Sequence, residues 1–211
     1  MNSRVILVSD DRSSLRSPDT LLWPDAACMR GIHTGEWTAH IFEYAMSFEG
    51  NMTQVRELAA ANGVGVLHPH GALATDPPGL IVCDVDSTVT RTEAIDLLAE
   101  CAGNADEVRE ITARAMVGEL DFTQSLYARV RCLEGLHIGA LEEAWKATVI
   151  TPGTAELVAA AHDVGAAVGL VSGGFTAIVD PLAEQIRADF AASNELEIVD
   201  NHLTGRVVGD I

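Results

Sequence analysis

Apolar and polar positions along the chain fall into two stretches with different rhythms. In the first, residues 4–9 and 38–48 read as strands, 52–62 as a helix closed by Gly63, and 64–67 as another strand. These elements predict a small α+β module over residues 1–78. The run Gly71-Ala72-Leu73-Ala74-Thr75-Asp76-Pro77-Pro78-Gly79 then breaks the pattern, because its double proline forbids regular structure.

Past this boundary the chain alternates strands with helices. Leu80–Cys83 is a short continuous apolar run, as expected of a central parallel strand covered on both faces. Residues 92–102 read as a helix with Ile95, Leu98, Ala99 and Ala102 on one face. Residues 106–117 place Val108, Ile111 and Ala115 at helical spacing and end at Gly118. Asp121 with Gln124 reads as a capping box opening the next helix. Thr151-Pro152 reads as an N-cap followed by proline at the first helical position of a helix to about Asp163. Gly165, a strand over 166–171, Ser172-Gly173-Gly174, a helix to about Arg187 and a short strand near 190–192 follow. Residues 195–199 and 203–208 around Asp200-Asn201 read as a β-hairpin. The alternation predicts a doubly wound α/β domain, a Rossmann-like core at 79–91 and 150–211 with a helical insertion over about 92–149.

Composition narrows the function classes. The chain is 48% hydrophobic and 21% charged, too apolar for a disordered tail. Thirteen basic against 31 acidic residues give a net charge of −18, with no Lys/Arg-rich run. That argues against a nucleic-acid groove or an anionic-membrane patch. No apolar stretch approaches the roughly 18–20 residues a membrane span needs. The first residues reach Asp10-Asp11 too soon for a signal peptide, and a cytoplasmic location is expected. Cys28, Cys83, Cys101 and Cys132 lack C-x-x-C spacing and read as buried thiols rather than disulfides or zinc ligands. His68 and His70 flank Pro69 beside the boundary and read as exposed rather than metal-ligating.

The chemistry starts at Asp84-Val85-Asp86-Ser87-Thr88, directly after the Leu80–Cys83 run. Two carboxylates at i and i+2 then sit at the carboxyl end of a parallel strand, where such sheets place ligands. They do not both bury as anions without a cation, so the pair predicts Mg²⁺. An aspartate beside Mg²⁺ attacks a phosphoryl group, and a second carboxylate protonates the leaving oxygen and later activates water. An isolated D-x-D equally forms an Asx-type turn; the strand before it and Ser-Thr after it favour the chemical reading. Ser172-Gly173-Gly174 follows the next strand and offers a hydroxyl and backbone N–H groups as an anion cradle, though strand-to-helix turns also use Ser and Gly for geometry. Phe122, Leu126 and Arg129 share one helix face, so Arg129 lies with apolar residues and wants a planar anion or an acidic neighbour. Glu93, in the first turn of its helix, also suits the helix dipole. Met116 and Phe122 are by default core residues.

Together with Glu93-Ala94-Ile95-Asp96, residues 115–122, Ser125-Leu126, Arg129-Val130, Val171-Ser172-Gly173-Gly174-Phe175, Asn194-Glu195-Leu196 and Leu203-Thr204-Gly205, the D-x-D-S-T segment resembles the bacterial phosphoserine phosphatases of the haloacid dehalogenase superfamily. The likeness covers about residues 79–211. It implies a phosphatase that hydrolyses O-phospho-L-serine through an aspartyl-phosphate in the last step of serine biosynthesis. It implies Asp84 as nucleophile, Asp86 as general acid/base, and both as Mg²⁺ ligands, Asp86 through its backbone carbonyl. Glu93 would accept the serine ammonium and Arg129 clamp its carboxylate. Met116 and Phe122 would form an apolar lid, and Ser172 with Gly173 the phosphate-binding turn. The resemblance also implies an ACT-like regulatory module in the N-terminal part.

The chain departs from the resemblance at its end. The family continues into a phosphate-neutralising lysine and a G-D-G-x-N-D segment, and neither occurs here; Lys146, the only lysine, lies in the insertion. Poor turnover by the 211 residues is therefore expected. So is an open apolar edge on the Leu80–Cys83 strand, which invites homodimerisation. A non-catalytic serine or phosphoserine sensor and another phosphatase or transferase of the superfamily are the alternatives.

Overall fold

The computed structural model describes residues 3–9, 27–33, 38–44, 52–69 and 71–209. Two compact units, Met1–Pro77 and Pro78–Ile211, make up the chain. The first holds β1 (Ser3–Ser9), β2 (Ala27–His33), β3 (Thr38–Tyr44), α1 (Met52–Ala61) and β4 (Gly65–Leu67). Its sheet runs β2–β3–β1–β4 with every neighbouring pair antiparallel. The β2 strand was not expected from the sequence. A register shift between Cys28 and Arg30 breaks the two-residue alternation that would have announced it. The strand expected over 38–48 is described only to Tyr44, and His70 lies outside the described residues.

The second unit is an α/β domain. Its sheet has the order β5–β6–β7–β8, built from β5 (Leu80–Cys83), β6 (Ala167–Phe175), β7 (Phe190–Val199) and β8 (His202–Val208). The first three strands are parallel and β8 is antiparallel to β7. Between β5 and β6 the chain inserts α2 (Ala94–Ala102), α3 (Ala105–Met116), α4 (Phe122–Arg131) and α5 (Gly139–Ala147), then α6 (Thr154–Asp163). Helix α7 (Thr176–Ile186) joins β6 to β7. Two apolar clusters hold these layers. One packs Val168 and Leu170 of β6 against Val158, Val179 and Leu182 of α6 and α7. The other packs Leu98, Val108, Leu126, Val130 and Leu133 of the insertion against Phe175, Leu196 and Leu203. The second cluster seats the helical insertion on the β7–β8 hairpin and so fixes the position of α4.

Local chemistry explains most boundaries. Asp121 and Gln124 form the expected capping box, each side chain accepting the other's backbone N–H, at 2.7 and 3.0 Å. Asp200 and Asn201 both take positive φ, 51° and 62°, the backbone of a two-residue hairpin turn.

Three expectations are corrected. Thr151 does not cap α6: Gly153, at φ 93°, occupies that position, and the Thr151 hydroxyl instead donates to the Thr88 carbonyl at 2.8 Å. Strand β5 is neither central nor covered on both faces: among the described residues it pairs only with β6, and Leu80 and Val82, on one face, are 52% and 51% exposed. Cys101 is exposed rather than buried, its position falling on the solvent side of α2, while Cys132 is buried and Cys83 half-buried. Burial, followed by the nearby Glu107 carboxylate, pushes the Cys132 thiol above its ordinary pKa.

Candidate active site

The chain leaves β5 at Cys83 and winds through Val85–Val89 as one wide turn, closed by the Thr90 N–H donating to the Val85 carbonyl at 2.9 Å. Burial of Val85 and Val89 anchors the turn in the core beneath it. Asp84 and Asp86 are thereby held at the carboxyl end of the sheet. Thr88 donates to Asp84 Oδ2 at 2.9 Å, and Asp84 lines the cavity above the turn. Asp86 is gripped twice. Its Oδ1 accepts the N–H of Ala94, the first residue of α2, at 2.8 Å, and its Oδ2 accepts the Ser172 hydroxyl at 3.0 Å. Ser87 sits at φ 57°, unusual for a residue with a side chain, and its hydroxyl donates to Glu93 Oε1 at 2.5 Å.

A cavity of about 250 Å³ opens above this turn. Asp84, Asp86 and Glu93 line it with Phe122, Leu126 and Arg129 from α4, and with Gly173, Gly174 and Phe175 from the end of β6. The helical period thus puts Phe122, Leu126 and Arg129 on the one face of α4 that looks into it. Arg129 Nε donates to the Ser125 carbonyl at 3.3 Å, one turn back. Among the described residues no acidic side chain forms an ion pair with it, so its guanidinium plane is not spent on a neighbour. An adjoining cavity of about 500 Å³ shares Glu93, Phe122 and Arg129 and adds Met116, Leu120 and Ser125. Met116 is 82% and Phe122 57% exposed, so the default core reading of both is corrected. They stand at the mouth of the site, because α3 ends and α4 begins there.

Ser172-Gly173-Gly174, expected to follow a strand ending at 171, lies within β6, where the register with β7 shifts between Val171 and Phe175, and the segment needs its glycines for space. A Cβ on Gly174 would stand 2.7 Å from Asp86 Oδ2, and one on Gly173 would stand 2.9 Å from the Phe122 ring. The Ser172 hydroxyl hydrogen is committed to Asp86, and its oxygen accepts the Gly174 N–H at 2.8 Å. The sequence placed Ser87 and Thr88 after the aspartates without giving them roles. Hydroxyls at those two positions are the only signal that could have suggested carboxylate-orienting donors.

Three carboxylates and one guanidinium on one wall leave a surplus of negative charge. A phosphate dianion is repelled there unless a cation joins it, and the donors offered are hard oxygens that suit a small divalent cation. Asp84 and Asp86, at the strand end, are the residues there that offer such oxygens. Among the described residues, no group of three or more His, Cys, Asp or Glu side chains is placed to bind a metal.

Residues 81–210 match the family model of haloacid dehalogenase-like hydrolases. The chain belongs to the haloacid dehalogenase-like hydrolase family. A phosphoserine phosphatase of Streptomyces coelicolor is 48% identical over 153 residues, covering 72% of this chain and 37% of the relative. One from Streptococcus thermophilus is 50% identical over 133 residues, covering 63% of this chain and 62% of the relative. The unliganded crystal structure of a probable phosphoserine phosphatase from Vibrio cholerae superposes with a TM-score of 0.75 at 33% identity, over 98% of this chain and 63% of that one. This haloacid dehalogenase-like chain therefore spans between about a third and two thirds of the length of those relatives. No helix among the described residues is long and apolar enough to cross a membrane.

Proposed function

We propose that the chain carries the catalytic domain of a phosphoserine phosphatase, converting O-phospho-L-serine and water into L-serine and phosphate. The observation that carries this reading is the make-up of one cavity: Asp84 and Asp86 at the strand end, and Glu93 with Arg129 beside them. A phosphorylated amino acid presents a phosphate, an ammonium and a carboxylate. Glu93 answers the ammonium, and the Arg129 fork answers the carboxylate in two parallel hydrogen bonds. The names of the Streptomyces and Streptococcus relatives point the same way.

In this reading the Asp84 oxygen not bonded to Thr88 attacks phosphorus. The bond from phosphorus to the serine oxygen breaks, and Asp86 delivers its proton to that oxygen. Water then attacks the phosphorus of the aspartyl-phosphate, Asp86 takes up its proton, and phosphate leaves with Asp84 regenerated. The Gly173 N–H steadies the phosphate; Ser172, expected to do the same, has its hydroxyl hydrogen on Asp86 and acts on that carboxylate instead, while Met116 and Phe122 cover the mouth and exclude water from the first step. Mg²⁺, held by the Asp84 carboxylate and the Asp86 carbonyl, would supply charge neutralisation at the phosphate. Arg129 is the one cation among the described residues of the wall, and in this reading it serves the amino-acid end. Lys146 lies on α5, 3.6 Å from Glu143 and away from the cavity. With no side-chain cation at the phosphate among the described residues, slow turnover is expected of the 211 residues by themselves.

We place the reaction at the last step of serine biosynthesis in the cytoplasm, a reducing compartment that suits the free thiols of Cys83, Cys101 and Cys132. For the first unit we infer an ACT-like regulatory module. Its support is the order β2–β3–β1–β4 with a helix between β3 and β4, the strand order of a split β-α-β sheet. A second reading is a serine or phosphoserine sensor, supported by Glu93 and Arg129 facing the same cavity.

Phosphate release from O-phospho-L-serine and from other phosphomonoesters, with and without Mg²⁺, separates these readings when run beside calorimetric binding. Mg²⁺-dependent release selective for phosphoserine is expected. Binding without release would favour the sensor, and neither binding nor release would remove both.

A further inference from the structure

The peptide between Gly173 and Gly174 is hydrogen-bonded at both ends. Its carbonyl oxygen accepts Asn194 Nδ2–H at 3.0 Å, and its N–H donates to Ser172 Oγ at 2.8 Å. Ser172 Oγ in turn donates to Asp86 Oδ2 at 3.0 Å. The Asn194 amide, the Gly173–Gly174 peptide, the Ser172 hydroxyl and the Asp86 carboxylate therefore form one directed chain. Each link sets the next: with the Gly174 N–H on its oxygen, the Ser172 hydroxyl turns its only proton to Asp86. Bonds arranged in series also polarise one another.

The peptide needs holding because sterics cannot hold it. A Cβ at Gly174 would meet Asp86 and Ser172 at 2.7 and 3.0 Å, and a Cβ at Gly173 would meet Phe122 at 2.9 Å. A side chain at either position would displace Phe122, Asp86 or Ser172, and a Gly–Gly peptide has no side chain to stop it turning over. Its orientation must come from hydrogen bonds. The bond to Ser172 is local and moves with this end of β6, whereas Asn194 reaches in from another strand. That strand is a firm anchor. Asn194 is the last β7 residue registered with β6, opposite Phe175, and its neighbour Glu195 is registered with Val208 of β8. Asn194 itself does not line the cavity.

We propose that Asn194 is a positioning residue, acting through the Gly173–Gly174 peptide and Ser172 to aim the Asp86 carboxylate. The proposal rests on reading the site as a phosphomonoester hydrolase. What the position requires is a donor. Aspartate, of nearly the same shape, would turn a carboxylate oxygen toward the Gly173 carbonyl and repel it.

Asn194→Asp and Asn194→Leu test this with two readouts. In ¹⁵N-resolved NMR spectra, the Gly174 amide should shift and exchange its hydrogen roughly three- to tenfold faster in both variants, the loss of about one hydrogen bond. In turnover of O-phosphoserine and of an aryl phosphate, kcat should fall by a similar factor for both substrates. KM for phosphoserine should stay within about twofold, since Glu93 and Arg129 are untouched. A merely structural role would lower the melting temperature and the active fraction without this split. If Asn194→Leu fails to fold, the near-isosteric Asn194→Asp decides. Folded variants whose Gly174 amide and kcat match the wild type would overturn the proposal. Should the wild type hydrolyse the aryl ester but not phosphoserine, the substrate assignment fails and the aryl ester tests Asn194. Should it hydrolyse neither, the hydrolase reading fails, and the Gly174 amide alone decides whether Asn194 holds the peptide.

Discussion

The Ser87 hydroxyl donates to Glu93 Oε1 at 2.5 Å, tying the turn that carries Asp84 and Asp86 to the residue that caps α2. The phosphate end and the ammonium end of the proposed substrate site are thus set by one short loop. Glu93→Gln keeps the shape and the hydrogen bond from Ser87 but removes the charge that would meet an ammonium. The expected result is a KM for phosphoserine raised roughly 10- to 100-fold, the worth of one charged hydrogen bond. An aryl phosphate, lacking the ammonium, should show no such change. Parallel Michaelis curves for the two substrates check this, and an equal rise for both would remove Glu93 from substrate selection.

The two aspartates should fail differently. Asp84→Asn removes the attacking oxygen, so turnover should drop by about 10³-fold or more, and no phosphoryl group should be trapped on the chain after acid quench. Asp86→Asn leaves the nucleophile but removes proton transfer, together with one of the two hydrogen bonds that the carboxylate accepts from Ala94 and Ser172, costing about 10² to 10⁴-fold in kcat. Because a good leaving group needs no protonation, Asp86→Asn should lose less with an aryl phosphate than with phosphoserine. Equal losses on both substrates would count against the acid role.

How much of this site the sequence disclosed depends on how local each signal is. Asp84 and Asp86 are legible because an apolar run leads straight into them, and the Asp121–Gln124 box because both partners lie within one turn. The hairpin at Asp200-Asn201 is legible for the same reason. Contacts between distant segments are not. Nothing near Asn194 announces that its amide reaches Gly173, 21 residues away, or that Ser172 spends its proton on Asp86. Helical period assigns Phe122, Leu126 and Arg129 to one face but cannot say whether that face meets a core or a cavity, which is why Met116 and Phe122 read as core. Strand β2 escaped because its register shift removes the alternation, and Gly153 displaced the Thr151 cap because glycine alone takes φ 93° without strain.

Acid should weaken the fold through Asp189. Its carboxylate accepts the Val168 N–H at 2.7 Å and pairs with His162 Nε2 at 3.0 Å, bridging β6 and α6. The Val168 N–H first, and the His162 hydrogen bond second, hold this carboxyl below its ordinary pKa. A carboxyl depressed in the folded state stabilises fully above its unfolded value of about 4, and the gain is lost as pH falls through the lower folded value. Asp189→Asn keeps an acceptor for Val168 but removes the ionisation. The variant should melt below the wild type at pH 7, and the gap should close in strong acid. Melting curves across that range check it, and a gap that stays constant would show that charge on Asp189 does not contribute.

Strand β5 offers the last prediction. Among the described residues it has one hydrogen-bonded neighbour, β6, so its outer edge presents unpaired N–H and carbonyl groups. Its side chains split by face: Ile81 and Cys83 pack against the core, while Leu80 and Val82 are about half exposed. An unpaired edge with apolar side chains is a template for pairing with another copy, which natural edges avoid with charge. A lysine on the exposed face adds that charge without disturbing Ile81 or Cys83. The 211-residue chain should therefore self-associate with rising concentration, and Val82→Lys should shift it toward monomer while leaving its melting temperature nearly unchanged. Sedimentation velocity over a hundredfold concentration range reads this directly. A wild-type chain that stays monomeric throughout would mean that the edge is blunted by something other than charge.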